Sequence, residues 1–298
     1  MFTDYYSREL KEQNLRIARE HPRFRLLELD LAAAPLRPVV EDVDGVFHLA
    51  GQPGVRPSWR ASFPLYLHHN VQATQRVFST AAEVGRRVVL ASSSSVYGST
   101  MSYPTAEPER TDPISPYGVT KLMCEKLAHA YSSEAGLDVV ALRYFTVYGP
   151  RQRPDMAFSR IFDVLKRDGV FRIFGSGGQS RDVTYVLDAV RATIAAFERA
   201  PAGGIYNVGG GTEVSLREVI RIAEELTGSK LQTRFEGHAA GDMQRTAADI
   251  SRICADTQWV PQTSLWDGLQ AQLDGADARG PALADTAPMM VNQASASG

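Results

Sequence analysis

Apolar runs of strand length alternate with helical patterns along the first half of the chain. Helical patterns cover residues 64–84 and 117–135. The apolar, β-branched runs are FRLLELD (24–30), GVFHLA (45–50), RVVLASS (87–93) and DVVALRYF (138–145). Buried strands that are joined through helices by short connections predict an α/β fold with a doubly wound parallel sheet.

The pattern changes after residue 150, where the elements become shorter. Helical patterns lie near 157–168, 186–199 and 215–227, and the strand-like runs are FRIF, DVTYV, GIYNV and LQTRF. We therefore expect a first domain over 1–150 and a smaller α/β lobe over 151–273. Residues 274–298 are rich in Ala, Gly, Ser and Pro, which predicts a disordered tail.

Composition and charge narrow the class of protein. The 298 residues are 44% hydrophobic, which suffices for a sizeable core. A net charge of −2 gives no electrostatic reason to expect nucleic acid or an anionic membrane as a partner. Cys124 and Cys254 make neither a disulfide framework nor a metal cluster. The polar N-terminus and the lack of an apolar run of roughly 20 residues predict a soluble, cytoplasmic protein.

The stretch SPYGVTK (115–121) places Tyr117 four residues before Lys121, after a proline that can open a helix. Residues four apart share one face of a helix, so both side chains can reach one cleft. A phenol is a poor base at neutral pH, but a nearby ammonium favours the phenolate. Ser93 lies at the end of the run RVVLASS, where ligands gather in such sheets.

A tyrosine with a lysine four residues later also arises by chance, as an ordinary pair on a helix surface. Two observations favour the catalytic interpretation of Tyr117 and Lys121. The pair follows a hydroxyl-rich strand end, and none of the other ten tyrosines has a lysine four residues on.

Longer motifs carry a resemblance to a known family. They are ASSSSVYG, SPYGVTK, RYFTVYGPRQRPDMAF, RDVTYVLDAV and YNVGGGTEVSL, in the family's order. From residue 1 to about 273 the chain resembles the extended short-chain dehydrogenases/reductases, which have a Rossmann-like fold, and more narrowly the NAD-dependent nucleotide-sugar epimerases and dehydratases. In that family, NAD borrows a hydride from the sugar, a 4-keto sugar turns over, and the hydride returns to its other face.

The resemblance implies a role for each matching residue. Tyr117 would be the base, Lys121 would bind the nicotinamide ribose, and Ser93 would bond the sugar O4. The remaining cofactor contacts would be Asp30, Leu31, Leu49, Ala50, Gln52, Asn70 and Phe145. The substrate contacts would be Ser94, Ser95, Thr146, Arg153, Arg181 and Arg245. Arg181 suits a diphosphate because guanidinium donates in parallel pairs.

The positions after Ser93 bear on the reaction. Where the family's 4,6-dehydratases have an Asp-Glu pair, this chain has Ser94 and Ser95, which disfavours dehydration. Thr146 replaces the asparagine of many UDP-glucose 4-epimerases, and "FTVYGP" with "RPDMA", like "TDYYSRELK", resembles the UDP-glucuronate 4-epimerases. Hydroxyl donors suit a carboxylate, so a uronate substrate is favoured over a neutral hexose. A neutral hexose substrate stays open, and so do the alternative activities of a nucleotide-sugar dehydratase or decarboxylase.

A dinucleotide-binding fold normally holds pyrophosphate on a glycine-rich turn, G-x-G-x-x-G or G-x-x-G-x-x-G. Neither pattern occurs in this sequence. By the resemblance, the first strand, glycine loop, first helix and second strand are missing. Three explanations are open: a misassigned start, a catalytically inactive descendant that binds a nucleotide sugar or a partner, or a sheet that has closed the gap by pairing FRLLELD directly with GVFHLA and serves another function. The resemblance also implies a homodimer through the helices at 64–84 and 117–135.

Overall fold

The computed structural model describes residues 1–167, 169–237 and 243–277. Its helices are α1 (Arg8–Arg19), α2 (Arg37–Val40), α3 (Phe63–Tyr66), α4 (Ala73–Glu83), α5 (Pro116–Ala135), α6 (Ala157–Lys166), α7 (Val186–Arg199), α8 (Leu216–Thr227), α9 (Ser251–Thr257) and α10 (Leu265–Asp277). A π-helical turn, Leu67–Gln72, joins α3 to α4, and short 3-10 turns include Arg56–Ser58 and Ser94–Val96. The strands are β1 (Gly45–His48), β2 (Arg87–Ser93), β3 (Val139–Tyr144), β4 (Thr146–Tyr148), β5 (Val170–Phe174), β6 (Ser180–Tyr185), β7 (Ile205–Val208), β8 (Glu213–Ser215) and β9 (Gln232–Glu236).

The main sheet is parallel throughout and has the order β1-β2-β3-β7. Successive side chains of β2 point to opposite faces, as the pleat requires. Val88 and Leu90 pack with Phe78 of α4 and Cys124 of α5, whereas Val89 packs on the other face, beside the alanines of α7. Both faces are therefore covered, and the predicted doubly wound α/β fold is confirmed.

The smaller lobe is built around a second core. Strands β4, β6 and β8 form a three-stranded sheet, and β5 pairs with β9. Helices α6, α8 and α10 enclose a cluster that includes Phe162, Phe171, Ile222 and Leu269. The helices and strands expected over 157–174 and 215–235 form with small shifts at their ends.

The division at residue 150 is only partly what the sequence suggested. Strand β7, expected in the smaller lobe, pairs with β3 of the main sheet, and α7 packs against the same sheet. Residues 186–208 thus return to the first core after the chain has entered the second. A hydrophobic pattern predicts a strand but does not specify which strand it pairs with. The pairing of β7 with β3 could therefore not be predicted from the sequence.

The prediction of a buried strand at FRLLELD (24–30) was wrong. The structure assigns no strand there, and no residue of this stretch is buried. A strand needs a neighbour for its ladder of hydrogen bonds, and β1 pairs only with β2 among the described residues. The suggestion that this stretch pairs directly with GVFHLA is therefore also wrong.

The chain's last described helix extends beyond the expected start of the tail. Helix α10 ends at Asp277, so residues 274–277 are helical rather than part of a disordered tail. The rest of that predicted tail, 278–298, lies outside the described residues. Over the part of the chain that is described, none of the helices combines the length and apolar character that crossing a membrane requires.

Candidate active site

The first turn of α5 holds the tyrosine of the predicted pair. Ser115 caps the helix by accepting a hydrogen bond from the Gly118 N–H at 3.1 Å, and Pro116 occupies the first helical position. Tyr117 is half-buried, and Lys121 follows one turn later with only 7% of its surface exposed. The local sequence therefore sets both the start of the helix and the common face of the two side chains.

Lys121 lies against the carboxyl-terminal part of β2. Its ammonium donates to the Ala91 carbonyl at 2.8 Å. At the end of the same strand, the Ser93 hydroxyl accepts from the Ser95 N–H at 3.2 Å. Gly118 approaches so closely that a Cβ there would lie 2.6 Å from the Ser95 carbonyl oxygen. The first turn of α5 and the serine-rich strand end are thus in direct contact, as the catalytic interpretation requires.

A buried amide joins α5 to the turn after β1. The Asn70 side chain accepts from the Gln52 N–H at 2.6 Å and donates to the Gln52 carbonyl at 3.2 Å. It also donates to the Thr120 hydroxyl at 3.0 Å. Two predicted cofactor contacts, Gln52 and Asn70, are therefore brought to the helix that carries Tyr117 and Lys121. Sequence reasoning did not identify Thr120, although its position directly before Lys121 was a signal.

The other predicted cofactor contacts have no comparable hydrogen bonds to α5 among the described residues. Leu49 and Ala50 are exposed in the turn after β1, and Leu31 packs at the edge of the first core. Asp30 bonds His68 instead, with 2.8 Å between Oδ2 and Nε2. The bonded His68 holds the pKa of the Asp30 carboxyl below its usual value.

The residues fit the nicotinamide half of NAD better than its pyrophosphate. The Lys121 ammonium is buried, and it lies with the Asn70 amide and the half-buried Tyr117 phenol at the carboxyl ends of β1 and β2. Parallel sheets of this kind bind dinucleotides at that edge. A Cβ added at Gly51 would lie 2.8 Å from the Asn70 Oδ1, so this turn is closely packed. A glycine-rich pyrophosphate turn is absent from the sequence.

Three of the predicted contacts line one narrow cleft beside the strand end. Ser94, Phe145 and Arg245 share this cleft with Met243 and Gly98. Phe145 is only 4% exposed and packs against Tyr97, with 6.5 Å between ring centroids. Ser95 and Thr146 are half-buried at the ends of neighbouring segments. Of the hydroxyl groups predicted to hold a sugar, Ser94 therefore lines the cleft, Ser95 follows the end of β2, and Thr146 begins β4.

The three predicted arginines already have protein partners. Arg245 donates two parallel bonds to Glu213, at 2.8 and 2.9 Å. The guanidinium of Arg181 donates to the Ser180 and Met243 carbonyls, which places it on the Arg245 side of the smaller lobe. Any diphosphate bound there would have to share or replace these bonds.

Arg153 lies on a different side of the site. It bonds Asp155 at 2.9 and 3.1 Å and stacks over the Tyr5 ring, 5.5 Å from the centroid. Burial lowers the pKa of Arg153, but the Asp155 carboxylate outweighs burial, and Tyr5 and Tyr117 add to the rise. The guanidinium of Arg153 is thus charged at neutral pH and lies close enough to Tyr117 to interact with it electrostatically.

A buried ion pair joins the helix that carries Tyr117 and Lys121 to the main sheet. Glu125, one turn after Lys121, pairs with Arg143 of β3 at 2.9 and 2.7 Å, and the two side chains are 3% and 5% exposed. Glu125 also accepts from the Ser92 hydroxyl at 2.5 Å, and Arg143 donates to the Tyr97 hydroxyl at 2.9 Å. The pair therefore ties α5 to the strand end that carries Ser93. Sequence reasoning missed it, although an acid on a largely apolar helix was the available signal.

The fold and this site together define a class: a parallel α/β protein with a tyrosine–lysine pair at the carboxyl edge of its sheet. The chain belongs to the NAD dependent epimerase/dehydratase family, whose family model matches residues 5–209. It is 41% identical over 266 residues to the uncharacterized UDP-glucose epimerase YtcB of Bacillus subtilis (strain 168), covering 89% of this chain and 84% of that protein.

Two further relatives bear on the reaction. The UDP-glucuronate 4-epimerase of Thermodesulfobacterium geofontis (strain OPF15) is 35% identical, with 90% of this chain and 84% of that protein covered. The crystal structure of UDP-glucuronic acid 4-epimerase from Bacillus cereus, in complex with UDP-glucuronic acid and NAD, superposes with a TM-score of 0.88 at 38% identity. That comparison covers 91% of this chain and 87% of that one. The expected family of NAD-dependent nucleotide-sugar epimerases is confirmed; the roles of individual residues stay predictions.

Proposed function

We propose that this protein catalyses NAD-dependent 4-epimerisation of a UDP-sugar, with UDP-glucuronate as the favoured substrate. The observation that carries the proposal is the contact between the first turn of α5, which holds Tyr117, and the strand end that holds Ser93. Lys121, on the same helix, is anchored to that strand at 2.8 Å. The main sheet would hold the cofactor, and the smaller lobe, with Arg181 and Arg245, would hold the nucleotide diphosphate.

Each of these residues has a distinct chemical task. When bound, NAD supplies a hydride acceptor and donor for the sugar carbon. The Tyr117 phenolate takes the proton of the 4-hydroxyl, and the Ser93 hydroxyl bonds the same oxygen. The bond that the Lys121 ammonium donates to the Ala91 carbonyl fixes the position of its charge, one helical turn from Tyr117. The 4-keto sugar must be reduced on its other face, so it has to rotate in the site. Tyr117 then returns the proton to the O4 of the rotated sugar.

Selection of a uronate is proposed from the hydroxyl-rich surroundings of Ser93. The hydroxyl groups of Ser94, Ser95 and Thr146 can donate to a carboxylate and supply no strong base. Arg153 adds a positive charge near Tyr117. Similarity to two UDP-glucuronate 4-epimerases supports this substrate, whereas similarity to a protein named UDP-glucose epimerase keeps UDP-glucose as the alternative.

Calorimetric titration of the 298-residue chain with NAD, followed by an epimerisation assay, tests the proposal. The wild type should bind NAD saturably and interconvert the C4 epimers of its substrate. Tyr117→Phe keeps the ring that packs 6.3 Å from Tyr66, so NAD binding should persist while turnover falls by about 100-fold or more. Unchanged turnover in this variant would exclude Tyr117 as the base.

Substrate preference is tested separately by comparing UDP-glucuronate with UDP-glucose. Thr146→Ala and Ser95→Ala should each lower kcat/KM for UDP-glucuronate by about 10-fold, as expected for a lost hydrogen bond to a charged group. UDP-glucose, which has no carboxylate, serves as the internal control and should be affected less. Equal losses for both substrates would contradict the carboxylate assignment.

A second candidate function is binding of a nucleotide sugar without catalysis. The observation that favours it is the absence of a glycine-rich turn from the sequence. This candidate predicts that UDP-glucuronate binds with unchanged affinity in the presence and absence of NAD, and that NAD gives no heat of binding. Saturable NAD binding with turnover would exclude it.

We also propose a homodimer formed through the segment 64–84, which spans α3, the π turn and α4, and through α5. Leu65 and Leu67 on one side, and Val119 and Met123 on the other, are 36–53% exposed. Met123→Arg should shift the mass measured by light scattering from dimer to monomer. Ile194→Arg, at a comparably exposed position on α7, is the control and should leave the mass unchanged. A wild type of monomer mass would refute this interface.

A cytoplasmic location is proposed from the two free thiols, Cys124 and Cys254, which suit a reducing compartment. Cell fractionation would test it, and recovery outside the cytoplasm would contradict it.

A further inference from the structure

Two histidines and an aspartate form a cluster that does not include the tyrosine–lysine pair. Asp30, His68 and His69 each offer a ligand atom, and these atoms all lie within 4.8 Å of one another. The aspartate follows the stretch 24–29, which forms neither a helix nor a strand, and both histidines belong to the π-helical turn between α3 and α4. The proposed epimerisation uses neither histidine.

The geometry of the cluster is set by its surroundings. Asp30 presents one carboxylate oxygen to His68, while its other oxygen accepts from the Ala32 N–H at 3.0 Å. The rings of His68 and His69 lie edge to face, with 4.8 Å between centroids and 84° between planes. Their ring nitrogens can therefore approach one point from two directions.

The backbone that carries the histidines is anchored on its buried side. Asn70, the next residue of the π turn, is 1% exposed and makes three hydrogen bonds to Gln52 and Thr120. The backbone is therefore held, and the ligand atoms, which lie within 4.8 Å of one another, would be drawn together around an ion by side-chain rotation. The aspartate, His68 and His69 themselves are half-buried, so solvent reaches the cluster.

We propose that Asp30, His68 and His69 bind a divalent transition-metal ion of the zinc type. Two imidazole nitrogens and one carboxylate oxygen suit Zn²⁺ and its neighbours, whereas Mg²⁺ and Ca²⁺ prefer oxygen ligands throughout. Three protein ligands leave a fourth tetrahedral position for water. On binding, the hydrogen bond between His68 and Asp30 is exchanged for two bonds to the ion, and the Nε2 proton of His68 moves to Nδ1 of the same ring or is released to solvent.

Titration of the full 298-residue chain with ZnCl₂, in calorimetry without chelator, tests the site. It is performed without NAD because Asp30 is also the residue matched to an adenine contact. The wild type should bind one Zn²⁺ saturably. His69→Gln and Asp30→Asn should each weaken binding by at least 10-fold, since each removes one of three ligands. His129→Gln, at an exposed histidine of α5, is the matched control and should bind as the wild type does.

Loss of fold is separated from loss of a ligand by a spectroscopic measurement. The visible spectrum of Co²⁺ reports its coordination geometry, so His69→Gln should alter that spectrum while the melting temperature of the apo-protein stays within a few degrees of the wild type. The proposal is overturned if both ligand variants bind Zn²⁺ as tightly as the His129 control, or if the wild type shows no saturable binding. Neither result depends on epimerase activity.

Discussion

Removing Glu125 should destabilise the protein far more than removing a carboxylate from its surface. In Glu125→Ala, the guanidinium of Arg143 loses two hydrogen bonds and its only carboxylate partner among the described residues. The Ser92 hydroxyl loses its acceptor as well. The Arg143 bonds to the Tyr97 hydroxyl and the Glu107 carbonyl remain, but neither of these partners carries a compensating charge.

The magnitude follows from the burial of both partners. Their side chains are 3% and 5% exposed, so water cannot replace the lost carboxylate without opening the core. Burial lowers the pKa of Arg143, yet the bonded Glu125 raises it above its usual range, so the guanidinium stays charged. Breaking a buried pair by removing one partner costs about 3–5 kcal/mol. The free energy of unfolding should fall by that amount.

Urea denaturation at neutral pH, followed by circular dichroism, measures this free energy. Glu225→Ala is the matched control because it removes a carboxylate from an exposed pair with Arg221, whose side chains are 47% and 53% exposed; this change should cost about 0.5 kcal/mol or less. The double variant Glu125→Leu/Arg143→Met should be more stable than Glu125→Ala, since no buried charge is left unpaired. Equal losses for Glu125→Ala and Glu225→Ala would refute the reasoning.

Two further predictions concern pH dependence and a backbone constraint. Burial, helped by Lys121, lowers the pKa of His48 to about 4; because the unfolded chain takes up this proton near pH 6.5, stability should fall as pH drops from 6.5 to 4, by at most about 3 kcal/mol. Urea unfolding at pH 4.5 and 7 should show a weaker dependence in His48→Gln than in His129→Gln, and equal dependences would contradict the assignment. Gly98 and Gly85 have φ of 65° and 64°, but only at Gly98 would a Cβ meet a backbone atom, the Asp112 oxygen at 1.9 Å. Gly98→Ala should therefore cost about 1–3 kcal/mol more than Gly85→Ala in the same assay, and equal costs would show that the loop moves freely.

The elements that the sequence predicted well are those whose own pattern decides them. RVVLASS and DVVALRYF form β2 and β3 because apolar residues occur on both faces of each strand. The stretch 117–135 forms α5 because Ser115 and Pro116 start a helix and Gly136, with φ of 63°, ends it. FRLLELD has the same kind of composition, yet it lacks a neighbouring strand, and its pattern could not reveal that.

Part of the candidate site was predictable for the same local reason. Tyr117 and Lys121 are four residues apart on one helix, so helical geometry places them on one face. The link between Gln52, Asn70 and Thr120 joins segments up to 68 residues apart, and no local pattern expresses it. The Glu125–Arg143 pair was missed because charged residues are seldom expected in a core, and only the opposite charge on β3 makes this one tolerable.

By itself, the sequence determined the alternation of strands and helices, the cap that starts α5, and the shared face of its tyrosine and lysine. These properties depend on residues a few positions apart, whose relation the backbone geometry sets. The tertiary structure alone decided that β7 returns to the first sheet, that FRLLELD is not a strand, and that Asp30 meets His68. Such pairings depend on which segments, distant in the sequence, bury apolar surface together and compensate each other's charges and hydrogen-bonding groups. A hydrophobic face or a buried charge specifies the kind of partner it needs, but not where that partner lies in the chain.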